Sequence, residues 1–131
     1  MLLVDAANVI GSRPDGWWRD RAGAARRFVG EVRLAARSGT LPTPAVVVLE
    51  GAARAGAVEA DVDGVRVVHA ARSGDDAVVA EVAVAGAGAL LVTADRHLRQ
   101  RAHELGAETV GPNWLYDRLV PPCPRGGTGE R

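Results

Sequence analysis

Short apolar runs, separated by longer stretches with helical periodicity, are the feature that most limits how this chain can fold. The runs are rich in leucine and valine and lie at residues 2–5, 45–49, 65–69, 89–93 and 107–110. The run at 45–49 is apolar throughout, which is typical of a strand buried on both faces. Because strands that alternate with helices favour right-handed parallel crossovers, we predict an α/β fold. The expected architecture is a three-layer α/β/α sandwich around a central, mostly parallel five-stranded sheet.

Helical patterns occupy most of the intervals between these runs. Residues 17–37 carry apolar side chains at spacings of three and four, with arginines mostly between them, as in an amphipathic helix. Trp18 falls on the apolar stripe of this helix and is therefore predicted to lie in the core. Residues 73–85 and 95–105 predict two further helices, and Pro112 suits the first position of a last one.

The remaining segments are predicted to be loops or tail. Polar residues, glycine and proline at 8–16 indicate a loop after the first strand. The alanine-rich segment 51–64 is interpreted as a loop with a short helical turn. We assign residues 1–119 to one domain and predict that residues 120–131 form a disordered C-terminal tail.

Composition narrows the setting in which such a domain works. The chain has 16 basic and 16 acidic residues, so no global field attracts it to nucleic acid or anionic lipid. Any site for a polyanion must therefore be local. The single cysteine, Cys123, excludes an internal disulfide. Met1 leads directly into the first strand and no long apolar window follows, so we expect no signal peptide, no membrane partner and a cytoplasmic location.

Acidic residues stand at three of the predicted strand-to-helix junctions. Asp5 ends the first strand, Asp75 and Asp76 open the helix at 73–85, and Asp95 opens the helix at 95–105. The carboxyl ends of parallel strands meet at one edge of a sheet, where open α/β folds place their ligand sites. These side chains are therefore expected to converge.

Each of these acids also has a purely structural interpretation. Asp5 would bond to the amides of the following turn, as aspartate often does. Ser73 with Asp76 resembles a capping box, and both acids of that pair would favour a first helical turn. Thr93 would be the N-cap of the helix that Asp95 opens. Nevertheless, three strand-to-helix junctions that all carry acids at the same edge are less probable by chance than one such junction.

Clustered carboxylates repel one another unless a cation lies among them, and their oxygens favour Mg²⁺ or Mn²⁺. Such an ion lowers the pKa of a bound water and stabilises the leaving oxygen of a phosphodiester. Asn8 is a candidate for orienting a phosphate or that water. Glu50, at the end of the second strand, is either a further carboxylate of the site or a solvated strand end, and we favour the latter. The candidate metal ligands are Asp5, Asp75, Asp76 and Asp95.

Basic and aromatic residues near these junctions are candidates for binding a nucleic acid. Arginine forms paired hydrogen bonds with phosphate, although some of these side chains would instead pair with neighbouring acids. Trp17 is a candidate for stacking on a base. The three histidines lack metal-ligand spacing and are interpreted as structural or surface residues. The candidate phosphate-binding residues are Arg13, Arg72, Arg96 and Arg99.

Several motifs in this order resemble the PIN-like nuclease superfamily, specifically its NYN branch and the YacP-like proteins within it. They are the segments at residues 3–11 (LVDAANVIG), 46–51 (VVVLEG), 74–76 (GDD) and 92–96 (VTADR), continued by 105–107 and 111–112. The match extends to about residue 119. Two departures stand out: Ala6 and Ala7 replace the usual glycine and aromatic residue, and Glu50 stands where aspartate is common.

The resemblance implies a PIN-like, Rossmann-like domain with metal-dependent ribonuclease activity. By position, Asp5, Asp75 and Asp95 match the metal-binding acids of the family, Asn8 matches its asparagine after the first strand, and Asp76 matches a frequent second acid. We therefore predict an endoribonuclease that hydrolyses RNA with a water activated by Mg²⁺ or Mn²⁺. The RNA would be a messenger, transfer or ribosomal RNA, with the ribosome as a further candidate partner.

Other functions remain open at this point. The domain would alternatively be a catalytically weak PIN-like module that binds RNA or the ribosome, with its acids serving as helix caps. A toxin of a toxin–antitoxin pair is another setting known for PIN-like proteins. A phosphoryl-transfer receiver or phosphatase is disfavoured, because the chain contains no lysine and Asp5 has no second acid two residues on.

Overall fold

A computed structural model describes residues 1–119 and contains one sheet of six strands flanked by helices. The predicted α/β/α architecture is therefore confirmed, although the prediction missed one strand. The strands are β1 (Leu2–Asp5), β2 (Ala45–Leu49), β3 (Asp61–Val62), β4 (Val65–His69), β5 (Leu90–Val92) and β6 (Glu108–Val110). The helices are α1 (Ala6–Gly11), α2 (Arg21–Ser38), α3 (Gly74–Ala85), α4 (Arg96–Glu104) and α5 (Pro112–Tyr116).

The order of strands across the sheet is β3-β4-β2-β1-β5-β6, and every pair except β3 with β4 is parallel. Strand β1 is central, with Leu3 in register with Val46 of β2 on one side and Leu91 of β5 on the other. The chain moves from β1 towards β2 and later returns to β5 on the other side. The boundary between β1 and β5 is thus the point where the direction of winding reverses, which in such sheets creates a crevice at the carboxyl ends.

Alternate residues of the central strands enter two different cores. Val4, Val47 and Val92 pack on the side of α1, α2 and α5 with Phe28 and Val32 of α2. The residues beside them on the strands pack on the opposite side, against α3 and α4, and include Leu3, Val48 and Leu91. Since both faces are covered, the strands need apolar residues at nearly every position.

The chain between β1 and α2 differs from the prediction. The predicted loop at 8–16 is wrong for its first four residues, which belong to helix α1 because Asp5 caps its N-terminus and Val9 and Ile10 are buried against the sheet. Helix α2 begins at Arg21, four residues later than predicted, with the side chain of Asp20 accepting a hydrogen bond from the amide of Gly23. Its buried side therefore runs through Phe28, Val29 and Val32.

The segment 51–64 is also better defined than the sequence indicated. Residues Gly51–Gly56 form a 3-10 turn, and Asp61–Val62 form the short antiparallel edge strand β3. Asp63 and Gly64 both have positive φ, of 56° and 79°, and connect β3 to β4 as a two-residue hairpin turn. Such turns match the right-handed twist of paired strands.

Within residues 1–119, none of the helices has the length and apolar character required to cross a bilayer. The predicted tail, residues 120–131, lies outside the described residues.

Candidate active site at the carboxyl edge of the sheet

Asp5 is the buried carboxylate at the centre of this edge. It ends β1, the central strand, and is only 5% exposed. Its Oδ2 accepts a hydrogen bond from the hydroxyl of Thr93 at 3.0 Å, and its Oδ1 accepts a long one from the amide of Asn8 at 3.5 Å. Asp5 therefore both caps α1 and stands at the boundary between β1 and β5.

Burial raises the pKa of Asp5 from its usual 3.8 to about 6. Removal from water disfavours the charged form and is the largest cause, while the hydrogen bonds from Thr93 and Asn8 act in the opposite direction. The negative charges of Asp75 and Glu50 contribute smaller increases to the same shift. Carboxylates from β1, α3 and the end of β2 thus face a common region.

Thr93 connects Asp5 with Asp95. Its side chain is fully buried, and its hydroxyl oxygen accepts a hydrogen bond from the amide of Asp95 at 3.1 Å while donating to Asp5. The prediction that Thr93 caps α4 is wrong, because the N-cap is Asp95, whose Oδ1 accepts from the amide of Leu98 at 3.0 Å. The role of Thr93 was missed, although a hydroxyl directly after a buried strand was a usable signal.

Asn8 of α1 is bonded across the crevice to the connection between β5 and α4. Its Oδ1 accepts a hydrogen bond at 2.8 Å from the amide of Ala94, a residue 86 positions away in the chain. The side-chain amide therefore presents its nitrogen as the remaining donor group. The structure brings Asn8 to the same edge as Asp5 and Asp95, as its predicted role requires.

Asp75 and Asp76 occupy the first turn of α3 but have different surroundings. Burial is the main reason that the pKa of Asp75 is raised, followed by the charges of Asp95 and Glu50, while Arg101 lowers it. Asp76 is 74% exposed in its side chain and lies 3.6 Å from Arg101. The amide of Asp76 donates to the hydroxyl oxygen of Ser73 at 3.2 Å, which confirms Ser73 as the N-cap of α3. Asp75 is therefore the member of this pair that is coupled to the other acids.

Glu50 belongs to this acidic edge, and the interpretation as a solvated strand end is wrong. Its Oε2 accepts a hydrogen bond from the amide of Gly74 at 3.2 Å, so the carboxylate is held against the N-terminus of α3. A Cβ atom at position 74 would lie 2.4 Å from Oε1, so a side chain there would displace the carboxylate from its present position. Helix N-termini attract negative charge, which explains why the glutamate is held there.

The donor set suits a hard divalent cation, since it consists of carboxylate oxygens whose charges disfavour one another. No three acidic, histidine or cysteine side chains within residues 1–119 are grouped closely enough to hold an ion in their present arrangement. Asp5 and Asp95 use oxygens to cap helices, while Glu50 bonds to the amide of Gly74. Binding an ion would therefore require side-chain rotation.

The four candidate arginines have different environments. Arg13 is bound to Glu31 at 3.0 Å and lies over the ring of Tyr116 at 4.2 Å. The Nε of Arg99 donates to the carbonyl oxygen of Thr93 at 2.7 Å and so supports the β5–α4 junction. Arg72 and Arg96 are exposed beside α3 and α4 and form no ion pair within the described part of the chain.

Of the two adjacent tryptophans, Trp17 contacts the core and Trp18 does not. Trp18 is 53% exposed, so its predicted place in the core is wrong. It precedes α2 in a 3-10 turn and never joins the buried side of that helix. Trp17 instead packs partly buried against the core, with the two rings edge to face at 6.0 Å.

Comparison with protein-family models and with curated proteins found no match. Among solved structures, this chain is similar to a crystal structure of a single-substitution mutant of Rae1 (YacP) from Bacillus subtilis. The two share 18% sequence identity and superpose with a TM-score of 0.60, over 88% of this chain and 71% of that one. This likeness shows the fold alone, and the fold is the one that the YacP-like motifs implied.

Proposed function

We propose that this protein is a divalent-metal-dependent endoribonuclease whose site is the acidic edge between β1 and β5. The observation that carries the proposal is Asp5, a buried carboxylate whose pKa is raised to about 6, mainly by burial and to a smaller extent by neighbouring acids. Burying such a charge is costly, and the cost is offset when a cation binds. The YacP-like motifs and fold support RNA as the substrate class.

In this proposal Asp5, Asp75 and Asp95 hold the ion, and Glu50 lies at the rim. A bound Mg²⁺ or Mn²⁺ would make water more acidic and neutralise charge on the phosphate. Asn8 has its oxygen fixed by the amide of Ala94, so its Nδ2 is directed to donate to a phosphate oxygen. Arg72 and Arg96, exposed beside the two helix N-termini, bind flanking phosphates.

Cleavage of a panel of structured and single-stranded RNAs tests the proposal. Wild-type protein is expected to cleave with Mn²⁺ or Mg²⁺ and to be inactive with chelator. Asp95→Asn should lose at least about a hundredfold in rate, since removing charge stabilisation at the reacting group typically costs 10²–10³. Asp61→Asn is the matched control, because Asp61 is exposed on β3 and pairs with Arg66 near the opposite end of β4. Metal-independent cleavage, or full activity of Asp95→Asn, would contradict the proposal.

A second candidate is a non-catalytic module that binds RNA or a ribosomal partner. The observation favouring it is that Asp5 and Asp95 each cap a helix, so both have a structural role without any ion. Calorimetric titration with Mn²⁺ separates the two functions. Saturable binding that is lost in Asp5→Asn and Asp95→Asn supports the nuclease, whereas no binding, or equal binding by all variants, supports the module.

A further inference from the structure

A cavity of about 300 Å³ opens beside the acidic edge, on the side of the sheet covered by α1 and α2. It lies between α1, the turn before α2 and the turn after β2, and its lining is mainly apolar. The residues that define it are Ile10, Trp17, Arg21, Glu50 and Ala53. Its volume is at the lower end of the range of about 300–1,000 Å³ found for small-ligand sites.

Trp17 gives this cavity an aromatic wall that is already fixed in place. Its ring packs against the α1–α2 core and contacts Trp18 edge to face. A Cβ at Gly11 would lie 3.7 Å from its Cζ2, so the end of α1 approaches the ring closely. A held ring loses little conformational freedom when a ligand stacks on it.

Arg21 places a positive charge at the same wall. Its guanidinium carbon lies 5.5 Å from the centre of the Trp17 ring, and the residue is exposed at the first position of α2. The guanidinium lies over the ring in the free protein, and because Arg21 is exposed it can move aside when a base stacks there and contact the neighbouring phosphate. Proteins that bind single-stranded nucleic acids combine an aromatic ring for the base with an arginine in this way.

Glu50 joins the cavity to the acidic edge. It lines the cavity, and its carboxylate also bonds to the amide of Gly74 and acts on the pKa of Asp5 and Asp75. A ligand seated against Trp17 therefore lies next to the carboxylates and not on a distant surface.

From this geometry we infer that the cavity is a nucleobase subsite, which receives the base of an RNA nucleotide next to the cleaved phosphate. The base stacks on Trp17 and a neighbouring phosphate contacts Arg21. Because the lining is mainly apolar, affinity depends on the ring area that a base stacks on Trp17, and the larger purines therefore bind more tightly than pyrimidines. The assignment of RNA as the natural ligand rests on the proposed function, whereas nucleotide binding by the cavity does not.

Titration with AMP, UMP and ribose 5-phosphate in the presence of chelator tests the inference on the intact protein. The indole N–H signals of the three tryptophans are followed by NMR and assigned with single tryptophan-to-phenylalanine variants. AMP should shift the Trp17 signal, UMP should bind less tightly, and ribose 5-phosphate, which has a phosphate for Arg21 but no base, should shift this signal much less than AMP does. Trp17→Ala should raise the Kd for AMP by roughly five- to a hundredfold, the usual effect of losing one stacked base.

Trp18→Ala is the matched control, and it should change the Kd by less than about twofold, since stacking is assigned to the neighbouring ring. Arg21→Gln should weaken AMP without altering folding, which keeps the test valid if Trp17→Ala is unstable. An absent Trp17 shift, or an equal shift with ribose 5-phosphate, overturns the inference even when RNA is cleaved. AMP binding at Trp17 in a protein that cleaves no RNA would instead overturn the proposed function alone.

Discussion

At the scale of single residues, the site is built around a carboxylate that is kept away from water. Asp5 receives two hydrogen bonds, yet burial still raises its pKa to about 6. The folded protein therefore stabilises the neutral form of this carboxyl more than water does, and a nearby positive charge would oppose that effect. Thr93 limits this effect, because the hydrogen bond from its hydroxyl lowers the pKa of Asp5.

Asp5→Asn is expected to stabilise the metal-free protein at neutral pH. The pKa of Asp5 is about 6 in the folded state against the usual 3.8, so folding favours the protonated form. The contribution of this group to stability is present below pH 3.8 and is lost as the pH rises to about 6. The total is about 3 kcal/mol by the usual conversion of pKa shifts.

Urea unfolding at several pH values, with chelator, measures this effect. The stability difference between Asp5→Asn and wild type should grow from pH 4 to about 6.5 and then level off. Asp61→Asn should show no such growth, since Asp61 is exposed. A difference that is independent of pH would show that folding does not shift the pKa of Asp5.

Thr93→Val is expected to cost about 1–3 kcal/mol of stability, because it leaves an oxygen of Asp5 and the amide of Asp95 without their partner. Losing the hydroxyl should also raise the pKa of Asp5 further and move the acid limb of the pH–activity profile upwards. Thr93→Ser keeps the hydroxyl and should retain the wild-type profile. Equal profiles for valine and serine variants would show that the hydroxyl does not act on Asp5.

At the scale of elements, the first turns of helices hold the acidic groups in place. Asp5 caps α1, Asp95 caps α4, and Glu50 reaches from β2 to the amide that opens α3. Each carboxylate accepts a hydrogen bond from an amide in the first turn of a helix, and these bonds fix where the carboxylates lie at the edge of the sheet. The hydrogen bond between Glu50 and Gly74 joins β2 to α3 through two residues that are 24 positions apart in the chain.

Gly74→Ala is expected to displace the carboxylate of Glu50, because the added Cβ would lie 2.4 Å from its Oε1. Rotation of this flexible side chain relieves the contact, so the expected cost is that of the lost hydrogen bond to the amide of residue 74, about 0.5–1.5 kcal/mol. Thermal unfolding would measure it. Gly30→Ala is the matched control: it is an exposed position in α2 with no atom within 4 Å of the added Cβ. That change should stabilise by about 0.5–1 kcal/mol through helix propensity. In a Glu50→Ala background the cost at position 74 should largely disappear, and an unchanged cost would show that the clash involves another group.

Much of the fold could be predicted from the sequence, because β2, β4 and the other buried strands are continuous apolar runs. The short elements could not be found from periodicity. Helix α1 has only six residues, and its polar Asn8 and Gly11 resemble a loop. Strand β3 has two residues, yet the Asp63-Gly64 pair between two valines was a usable hairpin signal. Trp18 was misplaced because the helix start was set before its actual N-cap, Asp20.

At the scale of the whole molecule, parallel strands bring separated segments of the chain to one edge. The positions of Asp5, Asp75 and Asp95 at strand ends could be predicted from the sequence, since all parallel strands point the same way. The contributions of Thr93 and Glu50 could not, because they depend on side-chain contacts that span 88 and 24 residues. The metal assignment remains a prediction.

RNA binding by this protein is expected to depend only modestly on salt. Its formal charge is zero, and Arg72 and Arg96 are the candidate arginines most available to phosphate. A plot of log K against log salt for single-stranded RNA should have a slope of about −1 to −3, at roughly −0.7 for each phosphate neutralised. Arg72→Gln and Arg96→Gln should each flatten it by about 0.7, measured with chelator to prevent cleavage. Arg37→Gln, an exposed residue paired with Asp63, should leave it unchanged.

The hydrogen bonds from Thr93 to Asp5 and from Ala94 to Asn8 join the two ends of the domain. During synthesis, the first strand leaves the ribosome long before residue 93 is made. A nascent chain that has emerged only as far as α3 therefore lacks both of these contacts. The carboxyl edge of the sheet is therefore assembled only after β5 and the start of α4 have emerged, so a shorter nascent chain would show neither the metal binding nor the RNA cleavage proposed above.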